Sequence, residues 1–231
     1  MKNKIIVIEG TDCSGKQTQT QLLKQTLLDK GYRVFSFDFP NYESPTGKII
    51  GGPYLGKKEL GDSYFPETAP NVDALTSSLF YATDRFYNFP KIKEKMEEGY
   101  LIILDRYTYS SMAHQGGKLT TVEERNDFYE WIEKLEFEML NLPIPSIRLF
   151  LHMPFEAEII LRQKKKDLDD NEKNNNHLIQ AEKAYLEIAR KYQFHTIECL
   201  KDKQTCTIKS KDEIAQEIWN FVQTHIQKEE E

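Results

Sequence analysis

The chain has 231 residues, which suits one α/β domain with a sizeable core and leaves little room for an independent second one. Apolar residues make up 39% and charged residues 29%, and the formal charge of -6 argues against broad, unspecific binding to nucleic acid or an anionic membrane, so any phosphate site must be local. The three cysteines, Cys13, Cys199 and Cys206, are odd in number and scattered, which speaks against a disulfide framework and for reduced thiols.

In chain order, a β-branched run at 4–9 leads through a glycine turn into a helix-prone stretch at 16–30 that stops at Gly31. The apolar part of that first run is too brief for a signal peptide, and no later window approaches a membrane span, so the cytoplasm is the expected compartment. Further strands are expected at 33–38, 100–105, 147–152 and 194–199. Helical patterns separate them at 72–89, at 91–98 after Pro90, and at 121–140, 155–166 and 173–192, with a last one at 212–227. Strands alternating with helices specify a parallel sheet. Residues 40–64, rich in Gly and Pro, and residues 164–176, Lys-rich and then Asp- and Asn-rich, read as mobile loops. The acidic stretch 228–231 reads as a frayed tail.

Gly10-Thr11-Asp12-Cys13-Ser14-Gly15-Lys16 reads G-x-x-x-x-G-K directly after the first strand and directly before the first helix. Glycines let the backbone curl its N–H groups around an anion, the helix N-terminus favours negative charge, and the lysine reaches the terminal phosphates. A glycine-bearing turn with a solvated lysine would explain neither the order nor the spacing. Residues 10–18 are therefore the expected ATP loop, with Lys16 as its cation. The position after the lysine calls for a Ser or Thr hydroxyl to help hold Mg2+, and here it is Gln17 followed by Thr18. Two arrangements stay open, a glutamine carbonyl on the metal or a bridging water.

Leu101-Ile102-Ile103-Leu104-Asp105 is an apolar strand ending in a carboxylate, as a Walker B element beside the phosphate loop would be, which makes Asp105 the expected metal ligand. Arg106 follows at the carboxyl end of the sheet, where its planar fork suits phosphate oxygens. An ordinary Asp-Arg pair at a strand end is the bland alternative for this segment alone. Together the motifs specify a P-loop NTPase fold: a five-stranded parallel sheet flanked by helices, one kinase domain over 1–231 with a lid at about 163–176.

The stretch Asp105 to Gly116, D-R-Y-T-Y-S-S-M-A-H-Q-G, resembles the D-R-Y-x-x-S-x-x-A-Y-Q-G stretch of thymidylate kinases. The resemblance extends to Gly10-Thr11-Asp12, to Phe39-Pro40, to Leu79-Phe80-Tyr81-Ala82-Thr83-Asp84-Arg85, and to Pro154 with Arg162, and so covers most of the chain. It implies ATP-dependent phosphorylation of dTMP with Mg2+, and a homodimer built on the long helices. It further implies that Asp12 holds the sugar 3′-hydroxyl, that Arg106 holds acceptor phosphate, and that Tyr81 stacks on thymine while Arg85 addresses its edge. The i, i+4 spacing sets Tyr81 and Arg85 on one helix face. Phe80 reads as core.

Arg85 offers only donors, so it favours a carbonyl at position 4 of the base over the amino group of cytosine. Ser110 and Gln115 are further base-contact candidates, and Phe39 and Pro40 wall the same site. His114 replaces the Tyr that, in the resembled family, closes the space at the sugar 2′ position. Cys13 excludes a loop arginine, so positive charge over the donor falls to Arg162 and to Lys164, Lys165 and Lys166, which otherwise read as a solvated basic turn. No arginine follows Phe39-Pro40, where the sequence is Asn41-Tyr42-Glu43.

An acceptor phosphate is already ionised near neutral pH, so catalysis should rest on alignment and charge neutralisation by Lys16, Asp105, Arg106 and Arg162. Two rivals stay open. A kinase of another monophosphate or of a deoxynucleoside is one, the latter needing a base such as Glu9. The other is a nucleotide-binding module without turnover, favoured by Gln17 and the lysine-rich lid.

Overall fold

The computed structural model describes residues 5–162, 168–202 and 205–227. The run Ile5-Ile6-Val7-Ile8 forms β1 (Ile5–Gly10), buried along its whole length as the centre of a parallel sheet must be. The other strands are β2 (Val34–Asp38), β3 (Leu101–Asp105), β4 (Ile147–His152) and β5 (His195–Glu198). They stand in the order β2-β3-β1-β4-β5, all parallel. A short antiparallel pair, β6 (Leu200–Asp202) with β7 (Thr207–Ile208), follows where no strand was expected.

The helices are α1 (Lys16–Asp29), α2 (Pro45–Ile49), α3 (Ala74–Glu97), α4 (Thr108–Gly116), α5 (Val122–Glu133), α6 (Phe155–Arg162), α7 (Asp170–Lys173), α8 (Asn175–Lys191) and α9 (Lys211–Gln227). Alternation along β1 divides the core. Ile5 and Val7 pack with Met112 of α4, Phe128 and Ile132 of α5 and Ile188 of α8, while Ile6 and Ile8 pack with Leu23 and Leu27 of α1 and Ile218 and Val222 of α9.

Three sequence expectations change. The stop at Pro90 does not occur, because α3 runs through it. Pro90 and Phe86 both lie on the exposed face, so water can satisfy the carbonyl that proline leaves without a donor. Residues 40–64 are not an open loop. Ser44 caps α2 by accepting from Gly47 N, Asp84 of α3 accepts from Asn41 N, Ser44 Oγ and Thr46 Oγ1, and Ile50, Tyr54 and Leu55 form a third apolar cluster with Ala69 and Val72. A Cβ on Gly47 would lie 1.8 Å from the Asn41 carbonyl oxygen, so glycine is there for close packing and not for a turn.

The lid is the third change. The expected helix 173–192 is α8, and within the expected loop 164–176 the chain forms α7, opened by an Asp169–Glu172 capping box. The expected helix 155–166 is seen as α6 to Arg162, and Lys164, Lys165 and Lys166 lie outside the described residues, as does the tail 228–231. The expected helix 121–140 is α5 continued by a π-helical turn over Lys134–Met139, whose wider winding carries Glu136 into the core.

Candidate active site

The phosphate loop lies at the carboxyl end of β1. Cys13 (φ 57°) and Gly15 (φ 81°) take left-handed conformations, and the Thr11 hydroxyl donates to Met153 O and accepts from Met153 N, fixing the loop to the end of β4. A side chain at Gly10 would meet the Leu151 carbonyl and Ser14 Oγ, each at 2.7 Å, so the curl requires glycine there. Lys16 folds back into its own loop, donating to Gly10 O at 2.9 Å and Thr11 O at 2.8 Å. Burial, and then the nearby Arg106, pull its ammonium down to about 8.

Asp105 ends β3 beside this loop, with its carboxyl pushed up by burial against the lowering pull of Lys16. Its partner in the sheet register is Asp38 at the end of β2, a second carboxylate that the sequence reading passed over. Both line a groove of about 870 Å3 together with Gly15, Lys16, Gln17 and Thr18. Carboxylate and amide oxygens are hard donors of the kind Mg2+ takes. Among the described residues no three His, Cys, Asp or Glu side chains could hold a metal unaided, which suits an ion that draws its remaining ligands from nucleotide phosphates and water.

Arg106 leaves the strand at φ 64° and spreads its guanidinium across the space beyond. Nη2 donates to Asp12 Oδ1 at 2.8 Å, and Nη1 donates to Tyr185 Oη at 3.1 Å and Ser110 Oγ at 3.3 Å. The backbone behind it is fixed by Glu9, whose buried carboxylate accepts from Tyr107 N, Ser110 N, Ser110 Oγ and Tyr185 Oη.

Next to the groove lies a smaller cavity of about 200 Å3. It collects Asp12, Phe39, Pro40, Tyr81, Arg85, Arg106, Ser110, His114 and Gln115, side chains drawn from the phosphate loop, the segments just after β2 and β3, α3 and α4. Tyr81 stands edge-on to Tyr54 with ring centroids 5.8 Å apart, while Phe80 packs on Tyr54 and Phe65 outside the cavity. Arg85 is 2% exposed and locked by a two-pronged pair to Glu136, Nε to Oε2 and Nη2 to Oε1 both at 2.6 Å. Its Nη2 also donates to Ser111 Oγ at 2.7 Å, and Nη1 reaches Tyr107 O only at 3.4 Å. Thr108 Oγ1 holds Glu136 from the other side at 2.8 Å.

Gln115 is fully buried, and neither its Oε1 nor its Nε2 finds a protein partner. The Gln115 side chain lies beside the Tyr54 hydroxyl, whose well-formed bonds go to Ala69 O and Ser77 Oγ. An amide with both functions unspent at the wall of a cavity is a site for a ligand with a complementary edge.

A sequence model of the family described as thymidylate kinase matches residues 8–208. The chain belongs to the thymidylate kinase family. It is 30% identical over 152 residues to the thymidylate kinase of Homo sapiens, a match that spans 66% of this chain and 62% of the human protein. It is 30% identical over 200 residues to that of Thermosipho melanesiensis, spanning 85% of this chain and 90% of the relative. The solved thymidylate kinase of Candida albicans superposes with a TM-score of 0.73 at 23% identity, covering 96% of this chain and 92% of that one, a likeness of fold.

Against the thymidylate kinase pattern, Arg162 stands apart from the other expected site residues. It lines neither cavity, and its Nη1 and Nη2 donate to Glu172 O and Asn175 Oδ1, tying α6 to α7 and α8. His114 does line the acceptor cavity. Its Nε2 faces the donor-only Arg106 Nη1 at 3.5 Å and must accept, so its Nδ1–H donates to His177 Nε2 at 3.3 Å. Burial, then Arg106 and His177, hold the His114 imidazole well below its usual range, and burial, then Lys118, lowers His177 to about 4.

Glu136 is the functional neighbour that sequence reasoning missed. It follows Phe128 and Ile132 at four-residue spacing on a buried helix face, and a lone carboxylate in such a stripe demands a cation partner.

Proposed function

We propose that this chain transfers the γ-phosphoryl group of ATP to thymidylate, acting as a single kinase unit with residues 163–176 as its lid. The observation that carries the reading is the meeting of two cavities at one wall, phosphate loop on one side and the unspent Gln115 amide on the other. ATP phosphates displace Lys16 from the loop carbonyls and gain its charge along with the loop N–H groups. Asp105, with Asp38 and Gln17 in the same groove, would hold Mg2+, which would supply charge neutralisation for the phosphates.

The acceptor enters the smaller cavity with its base between Tyr81 and the Phe39-Pro40 wall, its edge toward Gln115 and Arg85, its sugar beside Asp12 and His114, and its phosphate at Arg106. Gln115 can turn its amide to suit either pyrimidine. Arg85 cannot, because the second hydrogen of its Nη1 only donates, so a carbonyl at position 4 is preferred over an amino group. No general base is required, since the attacking phosphate oxygen is ionised. Glu9 does not supply one. It lines neither cavity and is fully occupied by four donors, which removes the support for a nucleoside acceptor.

Two wider readings accompany this. Leu75, Leu79 and Phe86 of α3 are exposed and lie within roughly 40° of one another at 3.6 residues per turn, a stripe suited to pairing with a second copy. None of Cys13, Cys199 and Cys206 is in a disulfide, which supports a cytoplasmic enzyme, and no helix among the described residues is long and apolar enough to cross a membrane.

The test is ADP formation from ATP and Mg2+ with dTMP, dUMP, dCMP, UMP, AMP, thymidine or no acceptor. Selective turnover with dTMP is expected. Turnover with dCMP equal to that with dTMP would remove Arg85 from base reading.

A further inference from the structure

Phosphoryl transfer places the acceptor phosphate where the two cavities join, so the side chains that line both cavities are the ones that meet it. Two of them are cations, Arg106 and Lys57, and two are carboxylates, Asp12 and Glu172. The Arg106 charge is already matched by Asp12 at 2.8 Å. A phosphate monoester brings roughly -1.5 to -2 at neutral pH, more than this remainder can neutralise. No cation follows Phe39-Pro40, where Asn41, Tyr42 and Glu43 stand.

Lys57 comes from the segment after Tyr54, which the third apolar cluster holds in place. Its backbone N–H donates to Gly51 O, its Nζ lies 5.1 Å from the centre of the Tyr42 ring, and Asp169 Oδ2 at the lid is 3.3 Å away. Asp169 does not depend on Lys57 alone, because its Oδ1 caps α7 by accepting from Glu172 N at 3.0 Å. Removing Lys57 from Asp169 therefore leaves that carboxylate hydrogen-bonded.

We propose that Lys57 is a ligand of the acceptor phosphate, and that its pair with Asp169 is the position it holds until that phosphate arrives. This rests on the thymidylate reading of the cavity. The two carboxylates at the junction, Asp12 and Glu172, make the second cation necessary rather than redundant. The exchange also ties acceptor occupancy to the lid, since the residue released is the cap of α7.

The experiment is calorimetric binding of dTMP and of thymidine, without ATP, to the full chain and to its Lys57→Gln, Lys57→Arg and Asp169→Asn variants. Lys57→Gln is expected to weaken dTMP by about thirtyfold or more and thymidine by less than about twofold, with Lys57→Arg restoring most of the loss. Asp169→Asn is expected to tighten dTMP severalfold, because the competing charge is gone, and to leave thymidine unchanged. Retained thymidine binding certifies the fold of each variant. Equal losses for both ligands, or wild-type affinity for dTMP in Lys57→Gln, would overturn the role of Lys57 alone. Failure of the wild-type protein to bind dTMP would instead overturn the thymidylate reading, and this proposal with it.

Discussion

The two ends of the site, the smaller cavity and the phosphate-loop groove, are held by different means. At the end lined by Gln115, Arg85 is locked to Glu136 and Ser111 by protein partners, and only Nη1 and the Gln115 amide are left for a ligand. At the phosphate end, Lys16 rests on loop carbonyls and Arg106 rests on Asp12, partners that a phosphate oxygen can replace. Recognition of a base rewards fixed donors, because a guanidinium that turned could satisfy the wrong edge. Charge neutralisation rewards cations that can be handed from one oxygen to another. Mutations at the first end should therefore register as stability and selectivity, and at the second as rate.

The contrast is broken most severely by Glu136→Ala, which leaves the Arg85 charge buried and alone. A loss of about 3–5 kcal/mol in unfolding free energy is expected in denaturant titration. A loss below about 1 kcal/mol would mean that the pair is not the anchor described. Lys16→Ala is the mirror case, with turnover down by at least about a hundredfold and the unfolding midpoint barely moved. Near-normal ADP formation in that variant would remove the phosphate loop from the chemistry.

Gln115→Met sharpens the comparison, because the two readouts should move in opposite directions. Deleting an orphaned amide is expected to raise stability by up to about 1 kcal/mol, while the KM for dTMP rises by about tenfold or more. A variant that lost both stability and dTMP affinity would show that Gln115 is satisfied within the free protein.

A pH-dependent effect belongs to the His114 and His177 pair between the two ends. Both folded imidazoles sit below the usual 6.5, so the unfolded chain takes up protons first as pH falls and stability is lost downward from 6.5, toward about 4 for His177. His114 is surrounded by Arg106, Asp12 and Lys16 as well as His177, and His177 by Lys118 and Asp12. Each histidine adds up to about 1.4 kcal/mol per pH unit in that window. The His114→Phe/His177→Phe double variant should flatten the melting temperature between pH 6.5 and 4, and an unchanged slope would place the protons elsewhere.

What could be read in the sequence was what is local. The phosphate loop needs one strand, one turn and one helix in order, and Asp105-Arg106 needs only a strand end, so spacing carried both. Tyr81 and Arg85 came from the resemblance of their segment, and four-residue spacing set them on one helix face. Glu136 reaches Arg85 across 51 residues of sequence, so the four-residue spacing that buries it does not name its partner. Residues 40–64 were misread because Gly and Pro were taken as marks of mobility. In the fold, the glycine at 47 permits contact with Asn41, and the segment is organised by Asp84, a residue 37 positions further on. Pro90 was misread for the opposite reason, since its local cost is offset by solvent on the face where it falls.

Arg106 sits at φ 64°, a conformation that costs a non-glycine residue about 1 kcal/mol or more. Glycine would relieve it. A laboratory selection that rewarded only heat resistance would therefore be drawn to Arg106→Gly, and would enrich proteins that fold better while losing the guanidinium at the junction. Survival at high temperature and growth on the reaction product would choose opposite alleles at this one codon, so a library sorted on the first criterion should be counter-screened on the second before any of its members is used.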